Sequence, residues 1–97
     1  MNPSGGEIWF VDFNLTRGHE QAGTRPALVL SVNRFNHGPA GLLVVLPLTR
    51  TDRGIASHVR VDAQPQGLRE TSFIMCEMIR SVSKNRLIEL VGTADER

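Results

Sequence analysis

The sequence predicts a small, mainly β domain with short helical pieces, folded into a closed or nearly closed barrel. Three observations carry this. Five to seven short runs rich in Val, Ile, Leu and Phe recur along the chain. Gly, Pro and Asn punctuate the gaps between them, as in barrels built from many short strands. The chain has 97 residues, 40% of them hydrophobic and 22% charged, which makes one domain around one modest core.

Each element has its own reason. Residues 7–13 hold Ile, Trp, Val and two Phe, and read as a strand. Residues 14–24 are polar and Gly-bearing, a long loop. Residues 27–32 form a nearly continuous apolar run, the pattern of a strand buried on both faces. Residues 33–41 hold Asn, His, Gly and Pro and read as a turn with room for a short helix. Residues 42–48 are β-rich, and Pro47 is expected at a strand end or edge. A second polar loop spans 49–56, and 58–61 alternate polar and apolar. Pro65 and Gly67 mark a turn in 64–70. Residues 72–78 and 79–82 are further strands, or one bent strand, and 83–87 suit a short helical turn. Thr93-Ala94-Asp95-Glu96 has the capping-box pattern that announces a helix. Only Arg97 follows, and so short a helix cannot hold itself, so a C-terminal helix is expected to be shortened or absent.

Composition narrows the function. Eleven basic and ten acidic residues give a net charge of +1, not the basic excess of a protein that coats nucleic acid non-specifically. Any nucleic acid would bind through a local patch. No apolar run approaches a membrane span, and the first residues lack a signal peptide's basic and apolar regions, so no membrane partner is expected. The single cysteine, Cys76, fits a reducing cytoplasm and reads as a buried structural thiol. His19, His37 and His58 lie far apart, without metal-ligand spacing, so no metal site and no cofactor are expected.

The most informative stretch is Gly18-His19-Glu20-Gln21-Ala22-Gly23-Thr24-Arg25-Pro26-Ala27-Leu28-Val29-Leu30-Ser31. A long polar loop ends in one arginine and a proline, and an apolar strand begins. An arginine anchored at a strand start has its guanidinium held in place, which suits an anion such as a phosphate. The plain alternative is a structural arginine paired with Glu20 or Glu77.

This stretch, with Gly6-Glu7-Ile8-Trp9 before it and Leu46-Pro47-Leu48-Thr49 after it, resembles the MazF/PemK family of toxin–antitoxin ribonucleases. Ile79-Arg80-Ser81-Val82-Ser83-Lys84-Asn85-Arg86-Leu87 resembles the family's late strand and turn. The three pieces stand in the family's order, and the resemblance covers roughly residues 5 to 93. It implies an SH3-like small barrel of the CcdB/Kid/MazF type, working as a homodimer in the cytoplasm. It further implies a sequence-specific endoribonuclease that cuts single-stranded messenger RNA without metal and is neutralised by a cognate antitoxin, with which it binds DNA. The family usually continues into an amphipathic helix where this sequence stops, and often has Gln at the position of Met78.

The resemblance also assigns roles. Arg25 becomes the catalytic arginine, stabilising charge on the transferring phosphate, and Thr49 the active-site hydroxyl. Glu20 matches a glutamate implicated in activity. His19 suits proton transfer by its chemistry alone, since the family varies there. Arg17, Gln21, Thr24, Arg50 and Arg53 are the candidate RNA-binding residues. Trp9, Phe10 and Phe13 offer rings for base stacking, although aromatics in a first strand usually serve a core. The competing readings are a gyrase-type, protein-binding toxin on the same barrel, which needs no Arg25–Thr49 pair, and a degenerate module that binds antitoxin or RNA without cutting.

Overall fold

Alternation along the first strand organises the molecule. In β1 (Glu7–Asp12) Ile8 and Phe10 point to one side of the sheet, Trp9 and Val11 to the other. A computed structural model describes residues 2–14, 23–64 and 67–94 of the chain. It contains six further strands: β2 (Thr24–Val29), β3 (Leu42–Thr49), β4 (His58–Val61), β5 (Ser72–Met75), β6 (Arg80–Ser83) and β7 (Leu87–Thr93). One short helix, α1 (Asn33–Asn36), follows β2, and single 3-10 turns occupy Cys76–Met78 and Lys84–Arg86.

All pairings are antiparallel. The strand order is β4-β5-β3-β2-β1-β7, with β6 also on β3. The mainly β architecture is as the sequence predicts, but the sheet does not close on itself. Among the described residues β4 and β7 each have one strand neighbour, so the strands form an open sheet rather than a sealed barrel. The two faces carry separate apolar clusters. Trp9, Val11, Phe13, Ala27, Val29, Leu43, Val45, Val82 and Leu87 form one. Ile8, Leu46, Leu48, Leu68, Ile74 and Val91 form the other, with Phe10 and Leu28 packed against it.

β3 is the spine. Its first half pairs with β6 (Leu42↔Ser83 to Val45↔Arg80) and its last two residues pair with β5 (Leu48↔Ile74, Thr49↔Phe73). Residues 72–83 are thus one bent path along β3, broken by the 3-10 turn at Cys76–Met78. Pro47 lies inside β3 rather than at its end. It sits where β6 has ended and β5 has not begun, so its missing N–H removes no bond on that side.

Two further expectations are corrected. β2 begins at Thr24, not at residue 27, because β1 pairs with Thr24, Arg25 and Pro26. It ends at Val29, and Leu30 and Val32 are exposed rather than buried. There the Asn36 amide donates to the Ser31 carbonyl at 2.9 Å, and the Ser31 hydroxyl accepts from the Val44 amide at 3.0 Å, which turns the chain into α1. Residues 88–92 belong to β7, a strand the sequence reading left unassigned. Thr93 closes that strand, and the Ala94 amide donates to the Gly6 carbonyl at 2.8 Å. The rest of the capping-box pattern lies outside the described residues.

Candidate active site

A cleft of about 1020 Å³ opens on the side of the second apolar cluster. Thr24, Arg25 and Pro26 from β2 line it, with Leu48, Thr49, Arg50 and Thr51 from the end of β3 and beyond. The segment Gly67–Glu70 with Ser72, and Glu89, Leu90 and Val91 of β7, complete the walls, and Phe10 contributes from β1. Gly67 lets two of these walls meet: a Cβ there would collide with the Val91 carbonyl. Only glycine lets the backbones approach this closely.

Register brings Arg25 and Thr49 together. β2 and β3 pair at Ala27↔Pro47, and because they run antiparallel, two residues onward along each strand lead to Arg25 and Thr49. The Arg25 Nη1 donates to the Leu48 carbonyl across a long 3.4 Å. Its Nε is buried and has no hydrogen-bond partner. Burial also pushes the Arg25 pKa down, because the charged form loses water. The arginine therefore carries a partly desolvated charge that the described residues only half satisfy. Of the two carboxylates expected from sequence, Glu77 does not neutralise it. Glu77 is taken up elsewhere, accepting from the Ser57 hydroxyl at 2.7 Å and lying 2.9 Å from the His58 Nε2, and Glu20 is outside the described residues.

Thr49 has a local partner. Its Oγ1 accepts from the Thr51 amide at 3.2 Å, which caps the turn that follows β3. The hydroxyl proton remains free to donate into the cleft. Arg50 pairs with Glu70 at 3.0 Å, both well exposed.

Of the residues chosen from sequence, Thr24, Arg25, Thr49 and Arg50 share the cleft. Arg53 is exposed and does not line it. Arg17, His19, Glu20 and Gln21 fall outside the described residues. Trp9 and Phe13 are buried in the first cluster, so of the three early aromatics Phe10 alone reaches the cleft. Cys76 is half-buried, not fully buried as expected. The sequence reading missed Arg69, Glu70, Ser72 and Glu89. Arg69 and Glu70 sat in an apparent turn, and Glu89 in the unassigned strand, so no periodicity marked them as convergent.

The profile of the PemK-like, MazF-like toxins of type II toxin–antitoxin systems matches residues 4–97. The chain belongs to this family. Endoribonuclease EndoA of Bacillus subtilis is 31% identical over 94 residues, which are 94% of this chain and 79% of that protein. The MazF crystal structure from Deinococcus radiodurans superposes with a TM-score of 0.84 at 30% identity, covering 98% of this chain and 84% of that one. A MazE–MazF structure from the same bacterium superposes with a TM-score of 0.77 at 26% identity, covering 99% and 82%. The MazF/PemK fold is thus present nearly end to end, with the Arg25–Thr49 cleft on its surface.

Proposed function

We propose that this chain is an endoribonuclease toxin that cuts single-stranded messenger RNA at a short sequence, without a metal, and that a cognate antitoxin neutralises it. The observation that carries the reading is the half-satisfied Arg25 guanidinium at the mouth of a polar cleft. A desolvated fork of N–H donors is complementary to a phosphate, and more so to a phosphorane carrying an extra charge.

RNA supplies its own nucleophile. The 2′-oxygen bonds to phosphorus, the bond from phosphorus to the 5′-oxygen breaks, and a 2′,3′-cyclic phosphate remains. Arg25 binds a non-bridging oxygen and Thr49 donates its hydroxyl to the same phosphate. One proton leaves the 2′-OH and one reaches the 5′-oxygen, and Glu20 and His19 are the proposed carriers. Arg25 itself is a poor base, since a guanidinium holds its proton tightly even when burial lowers its pKa. Thr24, Gln21, Arg17, Arg50 and Arg53 are proposed to hold the strand on either side. Among the described residues no three His, Cys, Asp or Glu side chains converge on a metal position, and this chemistry needs none.

The assembly follows the family. EndoA is named an endoribonuclease, and the Deinococcus MazF is paired with MazE in one structure. An exposed apolar group around α1 and the start of β3, formed by Leu30, Val32, Phe35 and Leu42, supports a homodimer. The cleft's three arginines, Arg25, Arg50 and Arg69, suit an acidic antitoxin segment that folds onto the RNA groove. A free cysteine supports action in the cytoplasm. Among the described residues no helix is long and apolar enough to cross a membrane.

The test is cleavage of a long RNA in excess EDTA with both new ends mapped. The expected products carry a 2′,3′-cyclic or 3′-phosphate and a free 5′-OH, and a 2′-deoxy nucleotide 5′ of the cut blocks the reaction. Products with 5′-phosphates, or loss of activity in chelator, overturn the mechanism.

A further inference from the structure

We propose that Phe10 and Glu89 form a nucleobase pocket in the cleft and that this pocket selects guanine beside the cut. The inference rests on the endoribonuclease reading above and names how that site reads sequence.

Phe10 and Glu89 are direct cross-strand partners, Phe10 on β1 and Glu89 on β7, and Phe10 is also paired with Pro26 on β2. Pro26, Phe10 and Glu89 therefore form one row across three neighbouring strands, and all three line the cleft. Side chains directly opposite one another on antiparallel strands share a face. The row begins next to Arg25, and two strand spacings, about 10 Å, carry it to Glu89. A base seated there lies close to the scissile phosphate but not on it.

The chemistry of the row is that of base recognition. Phe10 is half-buried, with its inner side against the second apolar cluster and the rest at the cleft. A ring fixed in this way is a stacking platform that loses little entropy when a base arrives. Glu89 is exposed and, among the described residues, has no ion-pair or hydrogen-bond partner. The cleft's other carboxylate, Glu70, is already neutralised by Arg50 at 3.0 Å. An unneutralised carboxylate repels phosphates, so its place in an RNA cleft calls for a different ligand group. An ionised carboxylate only accepts hydrogen bonds, through two oxygens side by side. Guanine alone presents two adjacent donors on its Watson–Crick edge, N1–H and the N2 amino group. Adenine, cytosine and uracil each present one. The register shifts of β7 on either side of Trp9–Phe10 support the reading, since bulges near a site re-aim side chains.

The test uses purified full-length chain and two readouts. Cut sites are mapped on a long RNA, and binding is measured to short oligonucleotides made uncleavable by 2′-deoxy substitution at the cut. In these oligonucleotides guanine is replaced by inosine, which lacks the N2 amino group, one position at a time. The wild type is expected to cut at sites sharing a guanine near the scissile bond, and to lose about tenfold in affinity with inosine there. Glu89→Gln, which keeps size and exposure but offers one acceptor, is expected to lose that guanine preference and respond little to inosine. Phe10→Leu keeps the apolar packing and removes the stacking face, so it is expected to weaken binding of all oligonucleotides while keeping the inosine effect. Thermal unfolding confirms that both variants fold. A wild type that cuts without a shared guanine, or a Glu89→Gln protein with unchanged sites and inosine response, overturns this inference alone. A wild type that cuts no RNA overturns the endoribonuclease reading, and this inference with it.

Discussion

Arg25 is the residue in which fold and chemistry pull hardest against each other. Its guanidinium gives up part of its water and, among the described residues, receives one long bond to a carbonyl in return. Arg25→Ala is therefore expected to keep the fold, with a melting temperature equal to or above that of the wild type, while cleavage falls by about 10²–10³-fold or more. Arg25→Lys keeps the charge but not the fork, and is expected to recover only a small part of the rate. Thr49→Ala loses one neutral hydroxyl, and a drop of about tenfold is expected. Initial rates on a fixed RNA, with unfolding curves alongside, check all three. Equal activity in a folded Arg25→Ala protein refutes the assignment. Arg25 and Thr49 could be picked from the sequence because each lies within two residues of a proline in a recognisable motif, although both prolines turn out to sit inside strands, and the structure sets the two side chains in one cleft. Glu89 could not, because a single carboxylate in an amphipathic strand looks like any solvated residue until the register sets it opposite Phe10.

At the scale of elements, β3 and the segments that pack around it decide the shape of the cleft. The bend in residues 72–83 was visible in the sequence as a strand that ran too long, and α1 as a cluster of turn formers. β7 was not visible, because its burial does not alternate and three consecutive residues, Ile88, Glu89 and Leu90, face solvent. Gly67 holds the wall opposite β7. Gly67→Ala is expected to cost about 1–3 kcal/mol and to depress cleavage, since one backbone has to move away from Val91. Denaturant titration measures the first and initial rates the second. The junction of β4 with the Cys76–Met78 turn is tied by Glu77. Hydrogen bonds from Ser57 first, and then His58, hold its carboxyl down to about 2 against an ordinary value of 4.5. The folded state thus favours the ionised form. The resulting stabilisation is fully present above pH 4.5 and disappears as the pH falls toward about 2. The difference in melting temperature between wild type and Glu77→Gln is expected to shrink across that window. A constant difference refutes the role.

The whole molecule is nearly neutral, yet three arginines meet in one cleft. The proposed attraction of an acidic antitoxin segment would accordingly be local, and its association rate is expected to fall as salt rises, while dissociation changes less. Stopped-flow mixing with the co-expressed antitoxin measures both. Mainly β architecture was readable at this scale because propensity and turn chemistry agree along the chain. The openness of the sheet was not, since closure depends on whether β4 and β7 meet, and no local pattern encodes a meeting of two edges.

Among the described residues β7 pairs with β1 alone, so Glu7 lies opposite Thr93 and strands far apart in sequence form one ladder. The cleft draws on Phe10 from the first strand and on Val91 from the last. A ribosome making this chain extends it by about 5–20 residues per second, and in the meantime β1 can pair with β2 but its other edge waits for β7. During that interval Arg25 has a neighbour in Thr49 but no opposite wall. A growing chain that has not yet laid β7 against β1 is therefore expected to leave the messages around it uncut, with nuclease activity arriving only when that pairing closes the cleft wall.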